Sequence, residues 1–245
     1  MEEIHMTLGD KISKLRRDYK ELCAEMYAEG HSFFTYISES ADSLASCCRL
    51  RNELAENTFN PTSGLTGVMT GSCNVITLNI NRIVQGAIRE YAKEHGEDAS
   101  KYQCWSIDAK DAITDNLLDI LDRVYKYHIA FKTMLYDMED KKMFAASNGG
   151  YIYINKLYST IGINGLNEAV SIMGYDILTK EGQEFVERVL KTIDSWVTCA
   201  QDQYKAPHNV EQTPSEGSAV KLATKDKMMG YDCGVPFYSN QFIPL

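Results

Sequence analysis

Apolar residues at Leu8, Ile12, Leu15, Leu22 and Met26 recur with a helical period and stop before Gly30, which predicts a helix over 7–29. A longer stripe, Ile113, Leu117, Ile120, Leu121, Val124, Phe131 and Leu135, predicts a helix over 109–139. Between the two, "SFFTYISES" (32–40) reads as a short strand, and residues 41–56 as a helix or a tight loop. A Gly-, Thr- and Ser-rich loop at 60–72 runs into "CNVITLNINRI" (73–83). That β-branched run predicts a strand buried on both faces, followed by a helix to about His95 and a polar stretch to 107. Further on, "YIYINKLYSTIGI" (151–163) predicts a strand, Gly162 and Gly165 a tight turn, and Leu166 to Met173 a helix. Another helix covers about 180–203, and "HNVEQTPSEGSAVKLATKD" repeats strand, turn and helix. "PFYSNQFIPL" (236–245) reads as one more strand. Strands separated by long helices predict a helix-rich α/β protein with a largely parallel sheet, in one compact domain.

Charge and composition narrow the partners. The 245 residues carry a formal net charge of −9, which argues against a broad nucleic-acid or anionic-membrane surface. A phosphate ligand needs only a few local donors and is not excluded. No run reaches the roughly 18 apolar residues of a membrane span, and "MEEIHMTLGDKISKLRRD" lacks the apolar core of a secretory signal. The seven cysteines (23, 47, 48, 73, 104, 199 and 233) are odd in number and contain no C-x-x-C, so no zinc ribbon or thioredoxin-like pair is written here. Reduced thiols in a cytoplasm are the expectation.

Two features carry candidate chemistry. In an α/β sheet or barrel the carboxyl ends of the strands face a common cavity. The turns "TIGINGL" and "TPSEGS" stand at such ends, where backbone N–H groups at a helix start suit a phosphate. Ordinary helix capping by Ser and Thr explains the same residues. The second feature is "SLASCCRLRNEL" (43–54). Adjacent cysteines seldom bond to each other, because a disulfide wants Cα atoms at least roughly 4.4 Å apart and a peptide sets them about 3.8 Å apart. No His or Cys at regular spacing completes a metal site. Buried filler and a reactive thiol, its thiolate favoured by Arg49, both remain open on composition alone.

Five blocks in order, "ADSLASCCRLRNEL", "TGVMTGSCNVITLNINRI", "STIGINGLNEA", "NVEQTPSEGSAVKLATKDK" and "FYSNQFIPL", resemble the anaerobic, glycyl-radical (class III) ribonucleoside-triphosphate reductases. They span residues 41–245. The resemblance implies part of a ten-stranded α/β barrel threaded by a finger loop, here about 41–56. It implies Cys48 as the thiyl-radical cysteine, with Cys47 the alternative. In this family the thiyl abstracts the ribose 3′-hydrogen and the 2′-hydroxyl leaves as water, in an interior kept dry so that the radical is not quenched. Asn79 matches the asparagine that holds the ribose hydroxyls, and Glu216 the glutamate of the phosphate-binding strand end. Asn81 stands where relatives usually have proline. The implied substrate contacts are Ser46, Cys47 and Arg49 on the finger loop; Gly162, Asn164 and Gly165 in a turn at about 160–167; and Thr213, Ser215, Gly217 and Ser218 in a turn at about 212–219. Cys73, six residues before Asn79, is a candidate extra thiol of the same pocket or inert packing.

The match also has gaps. Nothing resembles an ATP-cone domain, the four-cysteine zinc region or an R-V-x-G-Y glycyl-radical motif; "KMMGYDCG" has the wrong flanks. The expectation is therefore a single segment, 1–245, of a split or interrupted reductase that binds a ribonucleoside triphosphate. No metal or cofactor is expected within it. The glycyl radical and a structural zinc would reside on complementary segments, with the radical installed by an iron–sulfur/S-adenosylmethionine activase. Unpaired strand edges predict a homo- or hetero-oligomer. The alternative is a non-catalytic remnant that binds a nucleotide or a reductase subunit. His128 is expected to be structural, and the acidic run at 108–122 a solvated helix face.

Overall fold

The computed structural model describes residues 8–31, 43–45, 51–53, 71–98, 107–213, 215–231 and 233–240. The chain divides into two compact units, Met1–Glu39 and Ser40–Leu245. In the first, helix α1 (Leu8–Ala28) forms where the apolar period predicts it. Its Leu15, Tyr19 and Leu22 are all more than half exposed, so this helix keeps an apolar stripe outside any core of its own.

The second unit is built on a parallel sheet of three strands, β3 (Ser72–Asn79), β4 (Tyr158–Asn164) and β5 (His208–Gln212), in the order β3-β4-β5. Ahead of them β1 (Ser43–Ala45) pairs antiparallel with β2 (Arg51–Glu53), with Ala45 opposite Arg51. Within the segment read as a helix or a tight loop, residues 43–45 and 51–53 are therefore paired strands; the rest of 41–56 lies outside the described residues. The crossovers are helical: α2 (Ile80–Glu94), α3 (Ile107–Asp140) and the single turn α4 (Ala145–Asn148) precede β4, and α5 (Leu166–Ile172) and α6 (Lys180–Tyr204) precede β5. Helix α7 (Glu216–Met228) follows β5. Parallel neighbours require such connections, since a tight turn only reverses a chain.

Several predicted boundaries move. The strand expected over 73–83 ends at Asn79, because the Asn79 side chain accepts the Arg82 N–H at 3.1 Å and starts α2. It is half-buried rather than buried on both faces, with Val75 exposed. The central strand β4 is the buried one, since it is flanked on both edges. It starts only at Tyr158; residues 151–157 form a loop and a 3₁₀ turn at Ile154–Lys156. Gly162 lies inside β4, opposite Thr77, and not in a turn. Residues 236–240 are irregular instead of a strand, and 241–245 and the strand predicted over 32–40 lie outside the described residues.

The core forms where α2, α3, α5 and α6 lay their apolar stripes around the sheet, through Leu78, Val84, Leu121, Ile161, Val170 and Ile193. Helix α6 is capped at its start by Thr179, whose hydroxyl accepts the Gly182 N–H at 3.2 Å, and at its end by Lys205 in the left-handed region. At the amino end of the sheet, His128 of α3 and His208 of β5 are buried with ring centroids 5.5 Å apart. Burial pulls the His128 pKa down to about 4, with His208 adding to the effect. The structural role expected for His128 agrees with this packing.

Candidate active site

The carboxyl ends of β3 and β4 place Asn79 and Asn164 side by side as register partners, and β5 ends one residue before Thr213. Each strand end feeds a helix, so Asn79, Gly165 and Ser215 are the N-caps of α2, α5 and α7. Period-2 alternation across parallel strands in this register brings the three ends to one edge of the sheet.

Gly162 explains how two of these ends touch. Thr77 and Thr213 hydroxyls lie 3.2 Å apart, across the strand that separates them. A Cβ on Gly162 would stand 2.0 Å from the Thr213 Oγ1 and 2.6 Å from the Thr77 Oγ1. Glycine is therefore the residue that lets β3 and the β5–α7 turn bond over β4. Gly165 has φ +75°, and a Cβ there would meet the Tyr238 ring at 3.1 Å. Its N–H donates to the Ser239 carbonyl at 3.1 Å, so this amide is committed within the protein.

The "TPSEGS" turn is an N-cap: the Ser215 hydroxyl accepts the Ser218 N–H at 3.3 Å and contacts its hydroxyl at 2.8 Å. The Thr213 N–H donates back to Ile163 at 3.3 Å, which holds the turn against the end of β4. Gly217 is exposed, and a Cβ there would meet nothing, so packing does not demand glycine. Glu216 is the first residue of α7, which begins four residues after β5 ends.

Asn164 is buried, and neither its Nδ2 nor its Oδ1 has a hydrogen-bond partner. Native proteins almost always satisfy such groups, with protein, water or ligand. Asn79, by contrast, is engaged. Its Oδ1 caps α2, and its Nδ2 donates to Asp226 Oδ2 at 2.8 Å. One N–H and one lone pair of that amide remain for another group.

Sequence reading missed the polar cluster behind Asn79. Asp226 of α7 is fully buried and also accepts from Asn81 Nδ2 at 3.1 Å, Tyr238 Oη at 2.5 Å and Arg82 Nε at 2.5 Å, with an Arg82 ion pair. Burial, and then the bond to Asp226, pushes the Tyr238 hydroxyl pKa up, so the phenol stays protonated and donates. Asn81, a departure from the resembled family's pattern, is fully buried and takes Gln85 Nε2 on its Oδ1 at 3.0 Å. Glu168 of α5 anchors the last described segment through the Ser239 N–H and hydroxyl, both at 2.8 Å. Asp226 sits between Lys225 and Lys227 and reads locally as a solvated charge, so no local signal marks it.

Ser46, Cys47, Cys48 and Arg49 lie outside the described residues, between the two strands of the β1–β2 hairpin. Cys73 is placed away from the pocket. It is the extra residue of a bulge at the start of β3, with its Sγ 3.3 Å from the Tyr158 carbonyl. Six strand residues at about 3.3 Å each put it about 20 Å from Asn79, so it does not line the same pocket. Among the described residues no three His, Cys, Asp or Glu side chains gather as a metal site, and no helix is long and apolar enough to cross a membrane.

The sheet therefore carries asparagines and capped helix starts along its carboxyl edge, the edge at which α/β proteins generally bind ligands. The family to which the chain belongs follows from comparison. The family model of the anaerobic ribonucleoside-triphosphate reductase matches residues 3–244, so the chain belongs to that family. No curated protein matches at a significant level. Among solved structures, the anaerobic ribonucleotide reductase from Thermotoga maritima with glycerol in the active site is similar at 30% identity and TM-score 0.64, covering 86% of this chain and 32% of that one. The same enzyme with dATP bound in the specificity site matches at 29% identity and TM-score 0.59, over 72% of this chain and 28% of that one. In complex with dATP and CTP it matches at 30% identity and TM-score 0.58, over 72% and 28%. The chain therefore spans about a third or less of the length of these reductases, and its fold corresponds to part of theirs.

Proposed function

We propose that this chain supplies the substrate-pocket part of an anaerobic ribonucleotide reductase that converts ribonucleoside triphosphates to deoxyribonucleotides. The observation that carries the reading is the pairing of Asn79 with Asn164 at the carboxyl edge of the sheet. The Asn164 amide is buried there without a partner. An orphaned amide beside a half-committed one suits a ligand rich in hydroxyls, because each hydroxyl both donates and accepts. Nucleotides bound to the similar Thermotoga enzyme agree with that class of ligand.

In this reading Cys48 forms the thiyl that takes the ribose 3′-hydrogen. The remaining Asn79 N–H and lone pair, with Asn164, hold the ribose hydroxyls. The first turn of α7, with Glu216, Gly217 and Ser218, faces the phosphates or the leaving hydroxyl. A structural zinc and the glycyl radical would belong to other segments of the enzyme. An activase would install that radical. β3 and β5 each have one edge without a strand partner among the described residues, where further barrel strands would add.

The test is anaerobic turnover of the assembled reductase with Cys48→Ser. Reduction should fall to background while the complex still assembles. Appreciable turnover by that variant would overturn the assignment. Assembly with nucleotide binding, but no turnover even for the unaltered chain, would point to a non-catalytic binding remnant.

A further inference from the structure

We propose that Asp226 is a positioning residue that sets the orientation of the Asn79 amide, and so decides which of its groups faces the substrate. The inference rests on the reading of Asn79 as a substrate ligand, but the contact behind it is independent of that reading.

An asparagine amide has two ends of similar shape and opposite hydrogen-bonding character, and only its partners decide which end points where. Here both partners are one-way. The Arg82 backbone N–H can only donate, so it must meet Oδ1, at 3.1 Å. The Asp226 carboxylate can only accept, so it must meet Nδ2, at 2.8 Å. A flipped amide would set an N–H against an N–H and a carbonyl oxygen against a carboxylate oxygen. Asp226 itself is held without freedom. Tyr238 Oη and Asn81 Nδ2 load its Oδ2, and Arg82 Nε loads its Oδ1. The carboxylate is fully buried, so water does not screen or replace these bonds. Residues from three places in the chain, α2, α7 and the 231–240 segment, thereby converge on one orientation of one amide. A residue that served only to fasten α7 to α2 would not need an oxygen aimed at the strand-end asparagine.

Two measurements test this without turnover. In protein labelled with ¹⁵N-asparagine, the Asn79 side-chain amide is identified by its loss in Asn79→Ala. In the unaltered protein its protons should be well separated and slow to exchange. In Asp226→Asn they should exchange at least about tenfold faster, while exposed Asn148 is unchanged. An unmoved Asn79 signal would overturn the proposal. Should Asp226→Asn fail to fold, Asn79→Asp provides the second arm. It sets two carboxyls in contact, so the introduced acid has its folded pKa raised. The stability loss of Asn79→Asp should then grow as pH rises above about 4, where the acid ionises in the unfolded chain, and level off above its raised folded pKa. Equal pH dependence in Asn79→Asp and the unaltered protein would overturn the contact.

In the assembled reductase, Asp226→Asn should lower kcat about ten- to hundredfold and change KM little, as loss of an orienting partner does. On an Asn79→Ala background it should cost nothing further, whereas a merely structural role would cost the same in both backgrounds. Additive losses would overturn the proposal. Turnover that survives Cys48→Ser would instead remove the functional reading and leave the Asn79–Asp226 contact standing.

Discussion

Gly162 and Asn79 show how single residues in this chain serve two neighbours at once. Gly162 is bare so that Thr77 and Thr213 can bond across β4. Gly162→Ala should lower stability by about 1–3 kcal/mol, as overpacking a close-packed site does. Urea denaturation would read this as a lower midpoint with an unchanged slope, and an unchanged midpoint would mean that the two threonines yield freely. Asn79 both caps α2 and donates to Asp226, and what it can offer a ligand depends on what these two bonds leave over. Asn79 was singled out by the resemblance that "VITLNINRI" carries, whereas the β-branched run alone extended the strand to 83 and gave no sign that it ends there. The partner Asp226, 147 residues away, was not singled out. A carboxyl between two lysines on a helix carries no local mark of burial.

Among the elements, the long helices were the most legible, because a sustained apolar stripe has one geometric solution. α3 and α6 agree with their predicted spans within two residues. The strands were less so. "YIYINKLYSTIGI" has strand character throughout, yet only its second half pairs, since pairing needs partners at matching height and β3 and β5 set that height. Packing of α3 against β5 also creates a pH dependence. His128 and His208 are buried together beside Tyr125, with Lys132 of the same helix bonded to the Leu157 carbonyl at 2.7 Å. Neither His128 ring nitrogen has a hydrogen-bond partner, and its folded pKa is about 4 against an ordinary 6.5. The unfolded chain therefore binds a proton first as pH falls. Stability should be full above about pH 6.5 and decline as pH falls towards 4, by an amount on the order of a few kcal/mol. Thermal unfolding across that window should show the decline, with a smaller slope in His128→Leu. A slope unaltered by that substitution would remove His128 as its source.

For the molecule as a whole, the parallel sheet has three strands among the described residues, and β3 and β5 are its edges. Parallel sheets are usually covered and extended, and unpaired edges recruit strands. On its own the chain should self-associate, and sedimentation over a concentration series should show mass rising above that of one chain. A monodisperse monomer would mean that the edges are protected by other means. The organisation of chemistry along the carboxyl edge follows from the same topology. Parallel strands point the same way, so Asn79, Asn164 and Thr213 arrive together although they are far apart in sequence.

By itself the sequence determined the α/β class, the long helices and the family, because each depends on a local period or on motifs that are continuous in the chain. Tertiary structure alone decided that Gly162 is a gap rather than a turn, that the Gly165 amide is already bonded, and that Cys73 lies at the far end of its strand. It also decided that Asn81, Asp226 and Tyr238 form one buried cluster behind Asn79. Those facts depend on which groups meet across long sequence separations. A hydrogen bond is set by distances of a few tenths of an ångström that no spacing along the chain encodes.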